Sequence, residues 1–253
     1  MHRLLTIPIS HFCEKARWAL DRAGIEYAEE RHVQGIHRIV ARRAGGGTTV
    51  PVLVTGERVL SESEDILRYA DEHLADDRKL FPSKPELRDE VVGLCRELDR
   101  GLGPDGRRLM YALMLEQKGP MLRVNNQGVP AWEGKAMSAL WPLATHWGRR
   151  GLGIDADTVQ VDGANVRRAF DAIAERRADG RPYLCGERFT AADLTFAALA
   201  AAVIVPPQYG VRLPQPGELP PHIGRMVRDF REHPAGAYGM ELFRTSRHAP
   251  AGG

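Results

Sequence analysis

Pro8 separates a short apolar run, Leu4, Leu5 and Ile7, from the segment Ile9-Ser10-His11-Phe12-Cys13-Glu14-Lys15-Ala16-Arg17-Trp18-Ala19-Leu20. A strand that stops at a proline turn and passes directly into a helix confines the chain to an α/β beginning. Ser10 falls at the helix start and Cys13 one turn later. The first turn of a helix carries several unpaired N–H groups and the positive end of the dipole, an arrangement that suits an anion. If that anion is a thiolate, the protein's own or a ligand's, its pKa is lowered and it becomes nucleophilic near neutral pH. Ser10 alone reads equally well as a simple N-cap.

Two later segments add to this corner. Thr48-Thr49-Val50-Pro51-Val52-Leu53-Val54 is a β-branched run interrupted by proline, which has to begin or edge a strand. An X-Pro bond at Pro51 is able to be cis and to expose the Val50 backbone to a ligand. After Gly56 and the short strand Arg58-Val59-Leu60 comes Ser61-Glu62-Ser63-Glu64-Asp65-Ile66-Leu67-Arg68-Tyr69, whose hydroxyls and acids precede an apolar face, a helix start. Two helix starts and one proline-exposed strand edge make a cradle for a peptide-like anion.

Taken in order, Ser10-His11-Phe12-Cys13, Val50-Pro51-Val52-Leu53, Glu62-Ser63 and Tyr183-Leu184-Cys185-Gly186-Glu187-Arg188-Phe189-Thr190-Ala191-Ala192-Asp193-Leu194 resemble the glutathione transferase family. The likeness runs over residues 3–80 and 85–232, and Ser10-x-x-Cys13 looks most like its serine-type branch. It implies an α/β thioredoxin-like, glutathione-binding N-terminal domain over 1–80, a linker at 81–85, and an all-α helical-bundle C-terminal domain over 86–253 that carries a hydrophobic-substrate pocket. It implies further that the Ser10 hydroxyl holds the glutathione sulfur as thiolate, and that the Val50 backbone, beside cis-Pro51, pairs with the cysteinyl part. Glu62 and Ser63 would take the γ-glutamyl ammonium and carboxylate, while Phe12 and Thr49 complete the cradle. His37 lies where relatives place a basic group for the glycine carboxylate, although a surface histidine on a loop fits as well. Glutathione is then a co-substrate added to a small hydrophobic electrophile or an organic peroxide in a detoxification role, by a homodimer. The Ala44-Gly45-Gly46-Gly47 stretch departs from the Asn-Pro pair of some relatives.

Cys13 admits two readings. In a thioredoxin-like frame it occupies the second, resolving position, which leaves open a thiol-disulfide, dehalogenating or deglutathionylating enzyme. A cysteine one turn into a helix is otherwise a small buried apolar residue. Cys95 and Cys185 read as core. Three cysteines without a CxxC or Cys/His cluster give neither a disulfide framework nor a zinc site, and no metal is expected from the histidine spacing. A non-catalytic, ligand-binding protein of the same fold is the remaining alternative, and a different low-molecular-weight thiol would fit the same cradle.

A net charge of +2 with 27% charged residues argues against a nucleic-acid binder. No apolar stretch is long enough to span a bilayer, and Met1–Thr6 lacks the apolar core of a signal peptide, so the expected compartment is the cytoplasm. Before residue 80 the pattern predicts strand 3–7, helix 12–23, strand 26–31, a loop or short helix at 34–43, strands 51–54 and 57–60, and helix 62–74. Beyond Pro85 it is helical. Val91, Leu94, Cys95, Leu98 and Leu102 share one face, and Val166, Ala169, Phe170 and Ile173 another. Thr190-x-x-Asp193 is a capping box for a buried helix over 191–205, with Phe189 as its staple. Met110, Tyr111 and Met114, in an aromatic and Met-rich stretch over 104–150, are the candidates for the hydrophobic-substrate pocket. The prolines from Pro206 to Pro221 are placed to wrap the site, and the tail after His233 has little visible to hold it.

Overall fold

In the computed structural model, which describes residues 1–248, the chain opens as β1 (His2–Thr6), α1 (His11–Arg22), β2 (Tyr27–Arg31), α2 (Ile36–Arg43), β3 (Val52–Val54), β4 (Val59–Leu60) and α3 (Ser63–Glu72). The four strands form one sheet in the order β2-β1-β3-β4. β1 runs parallel to β2 and antiparallel to β3, and β3 is antiparallel to β4. The segment over 34–43 thus ends as a helix, and the other predicted elements fall within two residues of their expected ends.

Alternation along β1 assigns the two faces. Leu4 joins Ala16 and Leu20 of α1, Leu53 of β3, and Ile66 and Tyr69 of α3. Its neighbour Leu5 points the other way, against Ala41 of α2 and Val52 of β3. The sheet is therefore sandwiched, with α1 and α3 on one side and α2 on the other.

The remainder is helical: α4 (Pro85–Arg100), α5 (Leu102–Met114), α6 (Lys118–Asn125), α7 (Ala131–Ala139), α8 (Trp141–Leu152), α9 (Thr158–Arg176), α10 (Ala191–Ile204), α11 (Pro221–Glu232) and α12 (Pro234–Ser246). Its axis is α10, buried on almost every side, with seven alanines among Ala191–Ile204 that let neighbouring helices close in. The capping box at its start forms as expected. Asp193 accepts from the backbone N–H groups of Leu184 and Thr190, from the Thr190 hydroxyl, and from the Tyr238 hydroxyl on α12. It is a structural acid.

α1 lies between the sheet and the helices, and its polar residues His11, Glu14, Lys15 and Arg17 are buried along with its apolar ones. Lys15 is fully buried and ion-pairs with Asp99 of α4 at 2.8 Å. Trp18 packs on Phe189 and Phe243 and donates its indole N–H to the carbonyl of Ser246. The described part of the tail after His233 is thus held, contrary to the sequence expectation, and residues 249–253 lie outside the described residues. α12 packs on α10, and Arg247 is buried in ion pairs with Glu14 and Asp21 of α1.

Candidate functional site

The start of α1 is organised by hydrogen bonds to the turn before it. The Arg17 guanidinium donates to the carbonyls of Ile7 and Pro8, both at 3.4 Å, and to Glu29 of β2 at 2.7 Å. Arg17 is therefore a brace for the turn, committed to the carboxylates of buried Glu14 and half-buried Glu29. From the far side, the Tyr209 hydroxyl donates to the carbonyl of Ile9 at 3.0 Å. Ser10 follows as the N-cap of α1, its Oγ accepting from the Cys13 N–H at 3.3 Å. An Oγ that serves as acceptor to the helix keeps its own hydrogen, which can donate to an anion placed at the positive end of the helix.

Cys13 is fully buried beneath this cap. Burial pushes its thiol above the ordinary value, and the lowering effects of Arg17 and the Ser10 hydrogen bond do not offset it. Its chemistry is that of a packed apolar residue. Burial likewise raises the Cys95 and Cys185 thiols, to about 11 and about 12. Among the described residues no group of His, Cys, Asp and Glu side chains is arranged to hold a metal.

A cavity of about 190 Å³ opens beside Ser10. One wall comes from the sheet side: Ile7, Ile9, Ser10, His11, Phe12, His37, Thr49 and Val50. The other comes from the helices: Arg107, Met110, Tyr111 and Met114 of α5, Met121 and Val124 of α6, and the end of α10. Tyr209, Leu213, Pro214 and Leu219 of the proline-rich segment complete the enclosure. The fold therefore brings together Ser10, Phe12, His37, Thr49, Val50, Met110, Tyr111 and Met114. Pro51, Glu62 and Ser63 lie outside this lining.

The Val50–Pro51 peptide bond is cis, and Pro51 is buried. Among the described residues the Val50 backbone has no hydrogen-bond partner, and the sheet ladder begins only at Val52. Glu62 is exposed at the N-cap position of α3, where among the described residues no side chain caps the first-turn N–H groups, and Ser63 is buried at its first position. An exposed carboxylate beside uncapped helix donors suits a zwitterionic amino-acid end.

His37 is on α2 and half-buried, so the surface-loop alternative is set aside. Its Nδ1 accepts from the Gly35 N–H at 3.1 Å, which places the ring proton on Nε2. Burial brings its pKa down to about 4, so at neutral pH it is a neutral donor. His11 is more deeply buried. Its pKa falls to about 3, first through burial and then through the nearby positive charge of Arg107, and its Nε2 finds no partner among the described residues.

Phe12 owes its position to a missing side chain. A Cβ built on Gly103 of α5 would lie 2.6 Å from Phe12 Cζ, so only glycine lets this ring seat against the helix. The Tyr111 hydroxyl accepts from Gln34 Nε2 at 3.0 Å, and burial raises its pKa. Tyr111 thus offers its O–H to the cavity as a neutral donor.

A second cavity, of about 370 Å³, adjoins the first and shares Ile7, His37, Arg107, Tyr111 and Met121 with it. It extends between α2 and α8, where Trp141 and Trp147 line it. Trp132 and Trp147 are largely exposed, so this part of the aromatic stretch is not core. Arg107 escaped the reading of the sequence. The signal was its spacing, three, four and seven residues before Met110, Tyr111 and Met114, which puts all four on one helix face.

Residues 4–78 match the family model described as glutathione S-transferase, N-terminal domain, and residues 127–225 match that of the glutathione S-transferase, C-terminal domain. Sequence comparison with curated proteins gives no match. Solved structures with a similar fold include a glutathione S-transferase from Xanthobacter autotrophicus Py2, 17% identical with a TM-score of 0.61 over 95% of this chain and 91% of that one. Another, from Pseudomonas fluorescens Pf-5, is 18% identical with a TM-score of 0.59 over 99% of this chain and 98% of its own. A beta-etherase from Sphingobium sp. strain SYK-6 is 15% identical, again with a TM-score of 0.59, over 95% and 98%. At these identities the likeness is one of fold.

Proposed function

The chain belongs to the glutathione transferase family, and from that premise we propose that it ionises bound glutathione at Ser10 and adds the thiolate to a hydrophobic electrophile. The observation that carries this reading is the Ser10 hydroxyl, which caps α1 and lines the cavity. One hydrogen bond to a charged sulfur supplies about 1.5–3 kcal/mol, or roughly one to two pKa units. Together with the dipole of α1, that populates the thiolate near neutral pH without a cysteine of the protein. The thiol proton passes to solvent, the sulfur forms a bond to an electrophilic carbon, and the electron pair leaves with the departing group. An organic peroxide would be attacked at oxygen by the same sulfur, the O–O bond breaking to release an alcohol and leave a glutathione sulfenic acid, which a second glutathione converts to the disulfide and water.

In this proposal residues 1–80 bind the tripeptide and residues 86–253 supply most of the acceptor pocket. The Val50 backbone pairs with the cysteinyl unit beside Pro51. Glu62 takes the ammonium, and Ser63 with the uncapped N–H groups of α3 takes the γ-glutamyl carboxylate. His37, neutral with its proton on Nε2, donates to the glycine carboxylate. Phe12 and Thr49 border the tripeptide, and Met110, Tyr111 and Met114 meet the acceptor. The detoxification role, homodimer and cytoplasmic setting implied by the family resemblance belong to the same proposal. The raised thiol of Cys13 stands against a cysteine-based redox enzyme.

The test is spectroscopic. Glutathione titrated into the protein near neutral pH should raise the ultraviolet band of a thiolate, and Ser10→Ala should bind the tripeptide without that band. A bound sulfur that stays protonated in the unaltered protein would defeat the proposal.

A further inference from the structure

We propose that Arg107 makes this site select electrophiles that carry a carboxylate or comparable anion, an inference that takes the acceptor's electrophilic role from the transferase reading above. Arg107 lines both cavities at their junction, on the face of α5 it shares with Met110 and Tyr111. Its neighbour Arg108 pairs with Asp162 at 3.0 Å, whereas Arg107 forms neither an ion pair nor a hydrogen bond among the described residues. The Nε of Arg107 is buried with no acceptor.

Among the described residues no aspartate or glutamate lines either cavity. The histidines facing Arg107 across the first cavity, His11 and His37, are neutral near pH 7, since burial lowers both. An always-charged guanidinium thus stands in a largely apolar space with nothing of opposite sign. A buried donor without an acceptor is costly, and a carboxylate received by the planar fork of an arginine removes that cost with well-aligned, charge-assisted bonds. Ser10, Thr49 and Val50 occupy the wall on the sheet side, and Arg107 reaches in from α5, so its charge falls on the acceptor's side of the sulfur.

The probes are a chlorodinitrobenzene and the same compound bearing a carboxylate opposite the chlorine. In both, the glutathione sulfur bonds to the ring carbon, chloride departs with the electron pair of the broken bond, and the thiol proton goes to solvent. Relative to their uncatalysed rates, the unaltered protein should favour the carboxylate compound by about tenfold or more in kcat/KM. Arg107→Met should erase that factor, lowering kcat/KM for the carboxylate compound about tenfold more than for the neutral one, with Arg107→Lys intermediate. Equal losses on both compounds, or a raised KM for glutathione, would overturn the assignment, the latter by giving Arg107 to the tripeptide.

A second arm needs no turnover. Calorimetric binding of dinitrobenzoate and of the matching dinitrobenzyl alcohol is measured without glutathione in the same three proteins. A preference for the acid that Arg107→Met abolishes sustains the inference even if neither chloride is converted, an outcome that would count against the transferase reading alone. Indistinguishable binding of acid and alcohol would refute it.

Discussion

Arg247 Nε donates to Glu14 Oε1 at 2.6 Å, joining the end of the chain to its first helix across 233 positions. The other oxygen of Glu14 receives Arg17 at 3.2 Å and the Gly210 N–H at 3.0 Å. Both guanidinium groups and the carboxylate are buried. Glu14→Gln would leave them without their shared counter-charge, at a cost of about 3–5 kcal/mol. Chemical denaturation should show a lower midpoint at unchanged slope, and a midpoint equal to wild type would show that solvent or another acid replaces Glu14.

Ser10 serves two masters, the helix and the ligand, and two substitutions divide them. Ser10→Thr keeps both the capping oxygen and the donor, and should retain activity within several-fold. Ser10→Ala should lower kcat/KM by about ten- to a hundredfold through the lost donor, and lower stability by about 1 kcal/mol through the lost cap. Full turnover by Ser10→Ala would take the hydroxyl out of the chemistry.

Cys13 should resist alkylation by iodoacetamide in the folded protein near neutral pH and react readily once unfolded. Cys13→Ala should preserve conjugation. Rapid labelling of the native thiol would reopen the redox alternative.

The acid limb of stability follows from His11. Its folded pKa, about 3, lies below its unfolded value near 6.5, so the unfolded chain binds the extra proton between those limits. Stability from this group is therefore full above pH 6.5 and declines as the pH falls toward 3, by up to about 1.4 kcal/mol per pH unit. His37 acts in the same direction, with its folded value near 4. His11→Asn should flatten the limb relative to wild type in denaturation curves taken between pH 7 and 4. Parallel curves for the two proteins would mean that the ring is protonated in place.

Gly103 and Phe12 should behave as a coupled pair. Gly103→Ala drives a methyl into the Phe12 ring and should cost roughly 1–3 kcal/mol. Phe12→Leu made in the same chain should recover part of that loss, giving a non-additive double-mutant cycle. Additive effects would mean that the two helices separate freely.

The alternating half of the chain was legible because its signals are local. Leu4 and Leu5 face opposite ways by strand period alone, and Ser10, Pro51 and Ser63 mark element starts by their chemistry. Thr190 and Asp193 announce the start of α10 within four residues. The convergence of Met110, Tyr111 and Met114 with Ser10 on one cavity was legible only through family resemblance, since nothing local connects α5 to α1. Arg247 was invisible for the opposite reason: its partners lie in another element, and its neighbours carry no periodic pattern. Arg107 looked like any charge on a helix, because whether an arginine is paired is decided by tertiary neighbours. Glycine at 103 gave no hint that an aromatic ring would rest on it.

The segment around Tyr209 and Gly210 is gripped by three separate elements: Ile9 takes the tyrosine hydroxyl, Glu14 the glycine N–H, and Arg31 the glycine carbonyl. The same segment walls the cavity. A chimera that grafts these helices onto a relative's sheet would consequently inherit the residues of the pocket but not its shape, unless the recipient also carried the glutamate and arginine that hold the wall in place.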